Sequence, residues 1–311
     1  MASISVPRLA KLRAFITGDY ELTRYQRRTA IAWIALGPLI TWLILYKYIA
    51  FVYNFVLSFS ERHRTGGLTF VGLDNWMTML QDPVFPIALM NTILFFLAVP
   101  VAIAIALGLA LLLNKKFPGV NFFRAIFFLP YITMMVAVAV IWGYIFNTQH
   151  GILNFILLEL GLISERISWL GSAWWTRLSI FTIQVWTTVG FFMIIILAGL
   201  QSIPRQVYEV ASIDGASRYQ KFRHITLPLL KPTLGICALV GLASTFRLFD
   251  VVMVMTGGGP GNSSEILLTW IYKQSFEFNN FGYGGALSVV MVVIALVIAF
   301  GGYKLQTEQY T

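Results

Sequence analysis

The chain has 311 residues, of which 58% are apolar or aromatic (AVILMFWYC) and only 11% are charged. Soluble domains carry about 25% charged residues, so this composition excludes a soluble globular enzyme, and it equally excludes intrinsic disorder. The net charge of +9 is interpreted as loop charge that orients a membrane protein, not as a nucleic-acid-binding surface. We therefore expect an integral membrane protein with no nucleic-acid partner.

Long apolar segments follow one another along the chain, and a bilayer crossing needs about 20 such residues. Six segments qualify, which predicts an all-α integral membrane fold with six transmembrane helices. The fifth segment qualifies only if two charged residues are tolerated within it. The expected crossings lie at 30–51, 89–113, 125–147, 178–200, 233–255 and 278–303.

The Lys and Arg residues lie mostly in the N-terminal tail and in the second and fourth loops, which share one side of this layout. Cytoplasmic loops are enriched in Lys and Arg, so both termini are expected to be cytoplasmic. Four parts follow in chain order. They are a cytoplasmic tail (1–29), a first transmembrane helix with an outer loop (30–88), a core of five transmembrane helices (89–304) with a cytoplasmic loop at 201–232, and a cytoplasmic tail (305–311).

The fourth loop has the pattern of two short helices joined by a tight turn. Pro204 suits the start of the first helix, Gly215 suits its end, and Ser217 suits the N-cap of the second. We expect Leu227 and Pro228 to break the second helix before the next crossing.

The second of these short helices places Tyr219, Phe222 and Ile225 on one face, because they are three residues apart. An exposed apolar ridge of this kind needs a partner. Periodicity alone leaves two partners open, either another protein or the headgroup region of the bilayer.

The fifth crossing contains Arg247 and Asp250, whose spacing of three puts them on one helix face where they can neutralise each other. Charges within a membrane are costly and face a bundle interior or a wet cavity. Two interpretations stay open, a role in a translocation pathway and a structural pair that locks helix packing.

Motifs for catalysis or cofactor binding are missing from the sequence. It contains no GxxxxGK[ST] segment, so the chain is not expected to bind ATP by that means. One cysteine and three widely separated histidines provide no metal cluster. We expect a non-catalytic chain with no catalytic residues, no metal site and no cofactor of its own.

Residues 209–216 (EVASIDGA), followed by Leu227 and Pro228, resemble the EAA motif of the membrane subunits of ABC importers. Val210 is a departure, since the family usually has alanine there. The segments FVGLDNW (70–76), DPVF (82–85) and TGGGP (256–260) are similar to the carbohydrate branch, in particular to its maltose-type first permease. The similarity covers about residues 70–300 and implies the type I ABC importer permease fold.

The resemblance implies a permease subunit of an ATP-driven importer for a sugar, a di- or oligosaccharide or a related polyol. The subunit would form half of the translocation pathway in the bacterial cytoplasmic (inner) membrane. Besides the lipid bilayer, the implied partners are a second homologous permease subunit, two cytoplasmic ATPase subunits that bind ATP and Mg, and an extracytoplasmic solute-binding protein.

The resemblance also assigns roles to residues of the chain. Coupling to the ATPase subunits is expected from Glu209, Ala211, Asp214, Gly215, Ala216, Leu227 and Pro228. Because sugars suit aromatic stacking and polar groups, the hypothesis for the substrate pathway names Arg247, Asp250, Trp186 and Phe191.

Two other functions are weighed against this one. An ion-driven secondary transporter is the alternative, although a proton-driven carrier usually has more Asp, Glu or His within the membrane, where only Asp250 is expected to be deeply buried. A membrane-embedded enzyme is less well supported, because the sequence shows no paired acid and base and no nucleophile with a base.

Overall fold

The computed structural model describes residues 24–62, 67–115 and 117–307. Contacts divide the chain into two units, one that ends at Asn54 and one that begins at Phe55. The predicted N-terminal tail lies mostly outside the described residues, as do the last four residues of the predicted C-terminal tail.

Helices dominate both units. In chain order they are α1 (Arg24–Leu43), α2 (Ile49–Leu57), α3 (Asp74–Gln81), α4 (Val84–Phe96), α5 (Ala98–Leu113), α6 (Val120–Ile132), α7 (Met135–Ile145), α8 (Ile152–Glu159), α9 (Ala173–Ser202), α10 (Arg205–Ile213), α11 (Arg218–Lys221), α12 (Leu227–Thr245), α13 (Leu248–Met255), α14 (Leu267–Tyr272) and α15 (Phe281–Thr307). Five-residue π-helical turns occupy Ile44–Tyr48, Phe222–Thr226 and Lys273–Glu277. A short antiparallel hairpin is formed by β1 (Ser60–Arg62) and β2 (Leu68–Phe70).

Five helical segments of the described chain are long and apolar enough to cross a membrane, and a bent pair makes a sixth if it counts as one crossing. The expected number of six is therefore met only with the bent pair included. The five segments are Ile31–Leu57, Val84–Leu113, Ala173–Ser202, Arg218–Leu242 and Phe281–Ile298.

The third expected crossing is not one straight helix, because α6 and α7 meet at an angle of 100°. Thr133 and Met134 between them have extended backbone, with ψ of 140° and 125°. Helices of 13 and 11 residues are about 20 and 17 Å long, so neither alone crosses about 30 Å of hydrocarbon. Pro130 lies inside α6, three residues before the break, and does not mark it.

The expected break at Leu227 and Pro228 is wrong. The helix continues from α11 through the turn at Phe222–Thr226 into α12, and the Leu227 N–H donates to the carbonyl of Phe222, five residues back. This one-residue shift of the hydrogen-bond register comes just before Pro228, which has no amide hydrogen to donate. The helix breaks instead around Arg247, between α12 and α13.

The core of the second unit surrounds α9, which packs against α5, α6 and α12. The buried side chains of α9 are mostly polar up to Thr188 and apolar from Val189 onward, where Phe192, Met193 and Ile196 have no exposed surface. A separate cluster joins α3, α4, α14 and α15. There Asp82 accepts hydrogen bonds from the indole of Trp270 (2.8 Å) and from the hydroxyl of Tyr283, which fixes the chain between α3 and α4 against both later helices.

Candidate functional site

The candidate functional residues lie at different levels along α9, which has 30 residues and is about 45 Å long. Near its start, Arg177 Nε donates to the carbonyl of Ser263 (2.9 Å), in the segment between α13 and α14. Phe191 lies near the middle, and the fourth loop follows Ser202 at the other end. The segment after α13 and the fourth loop are therefore at opposite ends of one rigid helix.

α10 ends in a Schellman motif, where the chain turns toward α11. Gly215 has φ of +74°, its N–H donates to the carbonyl of Ser212 (3.2 Å), and the Ala216 N–H donates to the carbonyl of Ala211 (2.9 Å). A residue with a Cβ is strained at such a φ, which explains the glycine. The expected helix end at Gly215 is confirmed, and both alanines supply backbone groups to the turn.

Ser217 starts the next helix with a capping box. The Ser217 N–H donates to Gln220 Oε1 (2.7 Å), and the Gln220 N–H donates to Ser217 Oγ (3.3 Å). These bonds satisfy two amides that the helix itself leaves unpaired. The expected N-cap is confirmed, and the turn and the cap together fix the path of the chain from α10 to α11.

Two side-chain contacts hold α10 against the helix that follows. The hydroxyls of Tyr208 and Thr226 lie 2.9 Å apart, and Lys221 Nζ donates to Ser212 Oγ (2.6 Å). Thr226 is buried and directly precedes α12, which belongs to a membrane-crossing segment. These contacts therefore tie α10 to a membrane-crossing segment.

The acidic residues of the loop are exposed. Within the described part of the chain neither Glu209 nor Asp214 forms an ion pair, so both carboxylates are available to another molecule. Leu227 is half-buried at the start of α12, and Pro228 is exposed in its first turn.

The exposed apolar surface of the loop differs from the expected ridge. Phe222 and Ile225 are half-buried, whereas the side chains of Val210, Ile213 and Tyr219 are exposed by 57%, 86% and 71%. The reason is that α11 continues into a crossing, which packs the later part of the ridge against the protein. Most of the exposed apolar side chains therefore belong to α10.

Arg247 lies at the break between α12 and α13, where it is the residue before the first turn of α13. Its Nη2 donates to the carbonyl of Tyr131 (3.1 Å), and its guanidinium carbon lies 4.8 Å from the centre of the Tyr131 ring. The Tyr131 ring stacks on Phe191, with centroids 4.2 Å apart and planes 6° apart. The structure thus joins Arg247 and Phe191 through Tyr131, which the sequence did not single out.

The pair expected between Arg247 and Asp250 is not formed. No nitrogen–oxygen distance of 4 Å or less joins the two side chains, and both are half-buried. Spacing of three places residues on one face only within a continuous helix, and Arg247 lies at the end of one. Its charge is balanced by no carboxylate among the described residues, and its contacts are to a carbonyl and an aromatic face.

Trp186 lies on a different surface of α9 from Phe191. Its ring meets Trp142 edge-on, with centroids 5.4 Å apart, and it lines an open crevice of about 800 Å³ between α5, α6 and α9. The crevice is almost entirely apolar, with the hydroxyls of Thr133 and Thr182 as its polar side-chain groups, and Phe191 does not line it.

Sequence reasoning missed Glu265, which has no exposed surface and forms an ion pair with Lys273 (2.8 Å). It follows a Gly-, Asn- and Ser-rich stretch that is typical of an exposed loop, so composition gave no sign of its burial. Among the described residues no group of three or more His, Cys, Asp and Glu side chains is arranged to hold a metal ion.

Residues 76–307 match the model of a family described as the binding-protein-dependent transport system inner membrane component. The chain belongs to this family. Its membership in an inner-membrane family agrees with the several apolar helices that are long enough to cross a membrane. An inner-membrane, multi-pass subunit of a transport system is therefore established.

Relatives with known names cover most of the chain. The sulfoquinovosyl glycerol transport system permease protein SmoG of Agrobacterium fabrum is 36% identical over 86% of this chain and 87% of its own. The lactose transport system permease protein LacF of Rhizobium radiobacter is 35% identical over 86% of this chain and 91% of its own. A bacterial ABC transporter involved in the import of the acidic polysaccharide alginate shares the fold, with a TM-score of 0.79 and 24% identity. The match covers 91% of this chain and 96% of that one. The type I ABC importer permease fold is confirmed.

Proposed function

We propose that the chain is the permease subunit of an ATP-driven importer for a sugar, a di- or oligosaccharide or a related polyol, and that it forms half of the translocation pathway. The family and the two relatives that are named as carbohydrate permeases support this function. The observation that carries it is the fourth loop, because its turn at Gly215 presents exposed apolar and acidic side chains while hydrogen bonds tie it to a crossing.

Coupling works through α10 as a rigid element. A cytoplasmic ATPase subunit that binds ATP and Mg would contact Ile213, Val210 and the carboxylates of Glu209 and Asp214, all of which are exposed. Closure of the ATPase subunits would displace α10, and the Tyr208–Thr226 contact would pass the displacement to α12. Such coupling requires that the loop bind the ATPase with different affinity in the two transport states.

The proposed substrate pathway centres on the Arg247–Tyr131–Phe191 stack. Two helix breaks meet there, since Arg247 between α12 and α13 bonds to Tyr131 near the end of α6. Non-helical backbone at membrane depth is tolerated where it is buried in protein or lines a water-filled cavity. Guanidinium donors, the Asp250 carboxylate and an aromatic face together suit the hydroxyls and apolar ring faces of a sugar. Trp186 stays a proposed pathway residue at the rim of the apolar crevice.

The proposed assembly contains a second homologous permease subunit, two ATPase subunits and an extracytoplasmic solute-binding protein. In support of a partner within the membrane, the crossing Ile31–Leu57 has no residue buried in the most apolar window of its length, so lipid or another subunit must cover it. We further propose that both termini are cytoplasmic and that the membrane is the bacterial inner membrane.

Reconstitution tests this function. The chain is co-expressed with its companion permease and ATPase subunits, purified as a complex and placed in proteoliposomes with the solute-binding protein. Uptake is measured for a panel of radiolabelled disaccharides and polyols. Uptake that requires both ATP and the binding protein is expected. Uptake that an ionophore abolishes and ATP depletion leaves unchanged would establish the ion-driven alternative instead.

A further inference from the structure

The segment between α13 and α14, residues 256–266, is here named the outer turn. It contains three glycines with positive φ, Gly257, Gly258 and Gly261, and a sequence of this kind predicts an exposed loop. Its second half is buried instead, because Ser264 and Glu265 have no exposed surface. A buried irregular segment must satisfy its backbone polar groups through side chains of neighbouring elements.

Side chains from α4 and α9 hold the backbone of the outer turn. Asn91 Nδ2 donates to the carbonyls of Ser263 (2.8 Å) and Glu265 (2.7 Å), across more than 170 residues of sequence. Arg177 Nε donates to the carbonyl of Ser263 as well (2.9 Å). Two helices that lie much earlier in the chain, α4 and α9, therefore fix the C-terminal half of the outer turn.

Lys273 holds the N-terminal end of the outer turn. Its Nζ donates to the carbonyl of Gly257 (2.7 Å) and to Glu265 Oε2 (2.8 Å). One ammonium group thus closes the outer turn by joining its start, directly after α13, to its end, directly before α14. We name Lys273, Glu265 and the Gly257 carbonyl the outer clamp.

Gly258 leaves the space in which the outer clamp forms. A Cβ at this position would lie 1.6 Å from Glu265 Oε2 and 2.9 Å from Lys273 Nζ. Its φ of +88° is also unfavourable for other residues. Gly261 has a similarly positive φ of +54°, but a Cβ there would meet no atom within 4 Å. Alanine at either position strains the backbone, but only alanine at Gly258 would also obstruct the outer clamp. Comparing the two substitutions therefore distinguishes the two effects.

The outer clamp is not expected to contribute much to the stability of the fold. A fully buried carboxylate loses its hydration, and a buried ion pair is often no more stable than well-packed apolar side chains. Here Glu265 Oε1 is buried without a hydrogen-bond partner, which adds to the cost. A pair that stabilises little but fixes geometry tightly is better explained by a positioning role.

What the outer clamp positions is α13. This helix has eight residues, about 12 Å, and it runs from Arg247 at the helix break to the outer turn. We propose that Lys273 and Glu265 are positioning residues that fix the outer end of α13 and thereby set Arg247 and Asp250 for solute. The proposal rests on the proposed function, in which these two side chains face the pathway.

The test uses the assembled importer in proteoliposomes and the disaccharide that the wild-type complex takes up fastest. Gly258→Ala, which keeps both charges, is compared with Gly261→Ala. Lys273→Met is compared with Arg166→Met, which removes an exposed charge that makes no ion pair. A displacement of about 1 Å costs up to about 100-fold in positioned sites. We expect at least a tenfold rise in the KM for uptake in Gly258→Ala and Lys273→Met, and less than a twofold change in both controls.

A role in stability alone would give a different pattern, with lower melting temperatures but unchanged KM values in the complexes that survive. The double variant Glu265→Gln/Lys273→Met leaves no unpaired buried charge, so it is expected to recover the melting temperature that Lys273→Met loses while its KM stays raised. Recovery of both quantities would overturn the proposal.

A second measurement needs no uptake. A cysteine at Val254, which is 43% exposed on α13, is labelled with a water-soluble thiol reagent in the purified complex, where the native Cys237 is buried. Gly258→Ala is expected to change the labelling rate severalfold relative to Gly261→Ala. Equal labelling rates and equal KM values in the two glycine variants would overturn the proposal. If the wild-type complex takes up no solute with ATP, the proposed function fails, and the labelling result still reports on the outer clamp.

Discussion

Gly190 of α9 lies directly against the backbone carbonyl of Phe127 of α6. A Cβ at Gly190 would lie 1.7 Å from the Phe127 oxygen, and the obstructing atoms belong to backbone, which cannot turn aside. The close approach brings α6 against the central helix at the level where Phe191, the next residue, stacks on Tyr131. The Tyr131–Phe191 stack of the candidate pathway therefore depends on the absence of a Cβ at Gly190.

Gly190→Ala is expected to lower the free energy of unfolding by about 1–3 kcal/mol, as overpacking of a close-packed core does. Gly108→Ala in α5 is the matched control, because a Cβ there meets no atom within 4 Å. That control should be neutral or stabilising, since alanine favours a helix over glycine by about 1 kcal/mol. Thermal unfolding of the two variants in detergent makes the comparison, and equal midpoints would contradict the close contact.

Features with a local cause were predictable from the sequence. The end of α10 at Gly215 and the N-cap at Ser217 were both expected, because a left-handed glycine and a serine cap act through hydrogen bonds within a few residues. Most crossings were also expected, since hydrophobicity over about 20 residues is a local property.

Features with a distant cause were not predictable. The burial of Glu265 depends on Asn91, and the position of Arg247 depends on Tyr131, over separations of 174 and 116 residues. The break at Thr133 lies in an apolar run that carries no mark of it. A single sequence shows the polarity of a segment, whereas the partner that compensates a buried charge or a broken helix appears only in the folded chain.

Gly215→Val is expected to abolish most ATP-driven uptake while the complex still assembles in the membrane. A β-branched residue is strongly disfavoured at φ of +74°, so the turn must open and α10 loses its angle to α11. Gly161→Val is the control, because Gly161 has φ of +67° and ends α8 through the same pair of hydrogen bonds. It imposes equal local strain far from the fourth loop along the chain.

Uptake and ATP hydrolysis are measured on the same proteoliposomes for both glycine variants. Loss of solute transported per ATP in Gly215→Val but not in Gly161→Val is the expected result. Normal uptake by an assembled Gly215→Val complex would show that the Schellman turn is not needed for coupling.

Ile213→Ala is expected to weaken the attachment of the ATPase subunits about tenfold, a loss of about 1.4 kcal/mol. The Ile213 side chain is 86% exposed at the end of α10, and a few exposed anchors of this kind carry most of the binding energy of an interface. Leu162→Ala is the control, since Leu162 is 67% exposed but follows α8. The measurement is the amount of ATPase that stays bound to the tagged permease as the number of salt-free detergent washes is increased. Equal retention in both variants would exclude Ile213 from the docking surface.

Arg247→Lys is expected to lose nearly as much uptake as Arg247→Met, at least tenfold in each case. The planar guanidinium lies over the Tyr131 ring and donates to the Tyr131 carbonyl at the same time. An ammonium group has three donors but no flat face, so it does not keep the stacked contact and the hydrogen bond in the same geometry. Tyr131→Leu should produce a similar loss, because it removes the ring that contacts both Arg247 and Phe191. Lys47→Met is the control, since it removes an exposed charge within another apolar crossing. Full uptake by Arg247→Lys would show that only the positive charge matters, and the stacked arrangement would then have no part in transport.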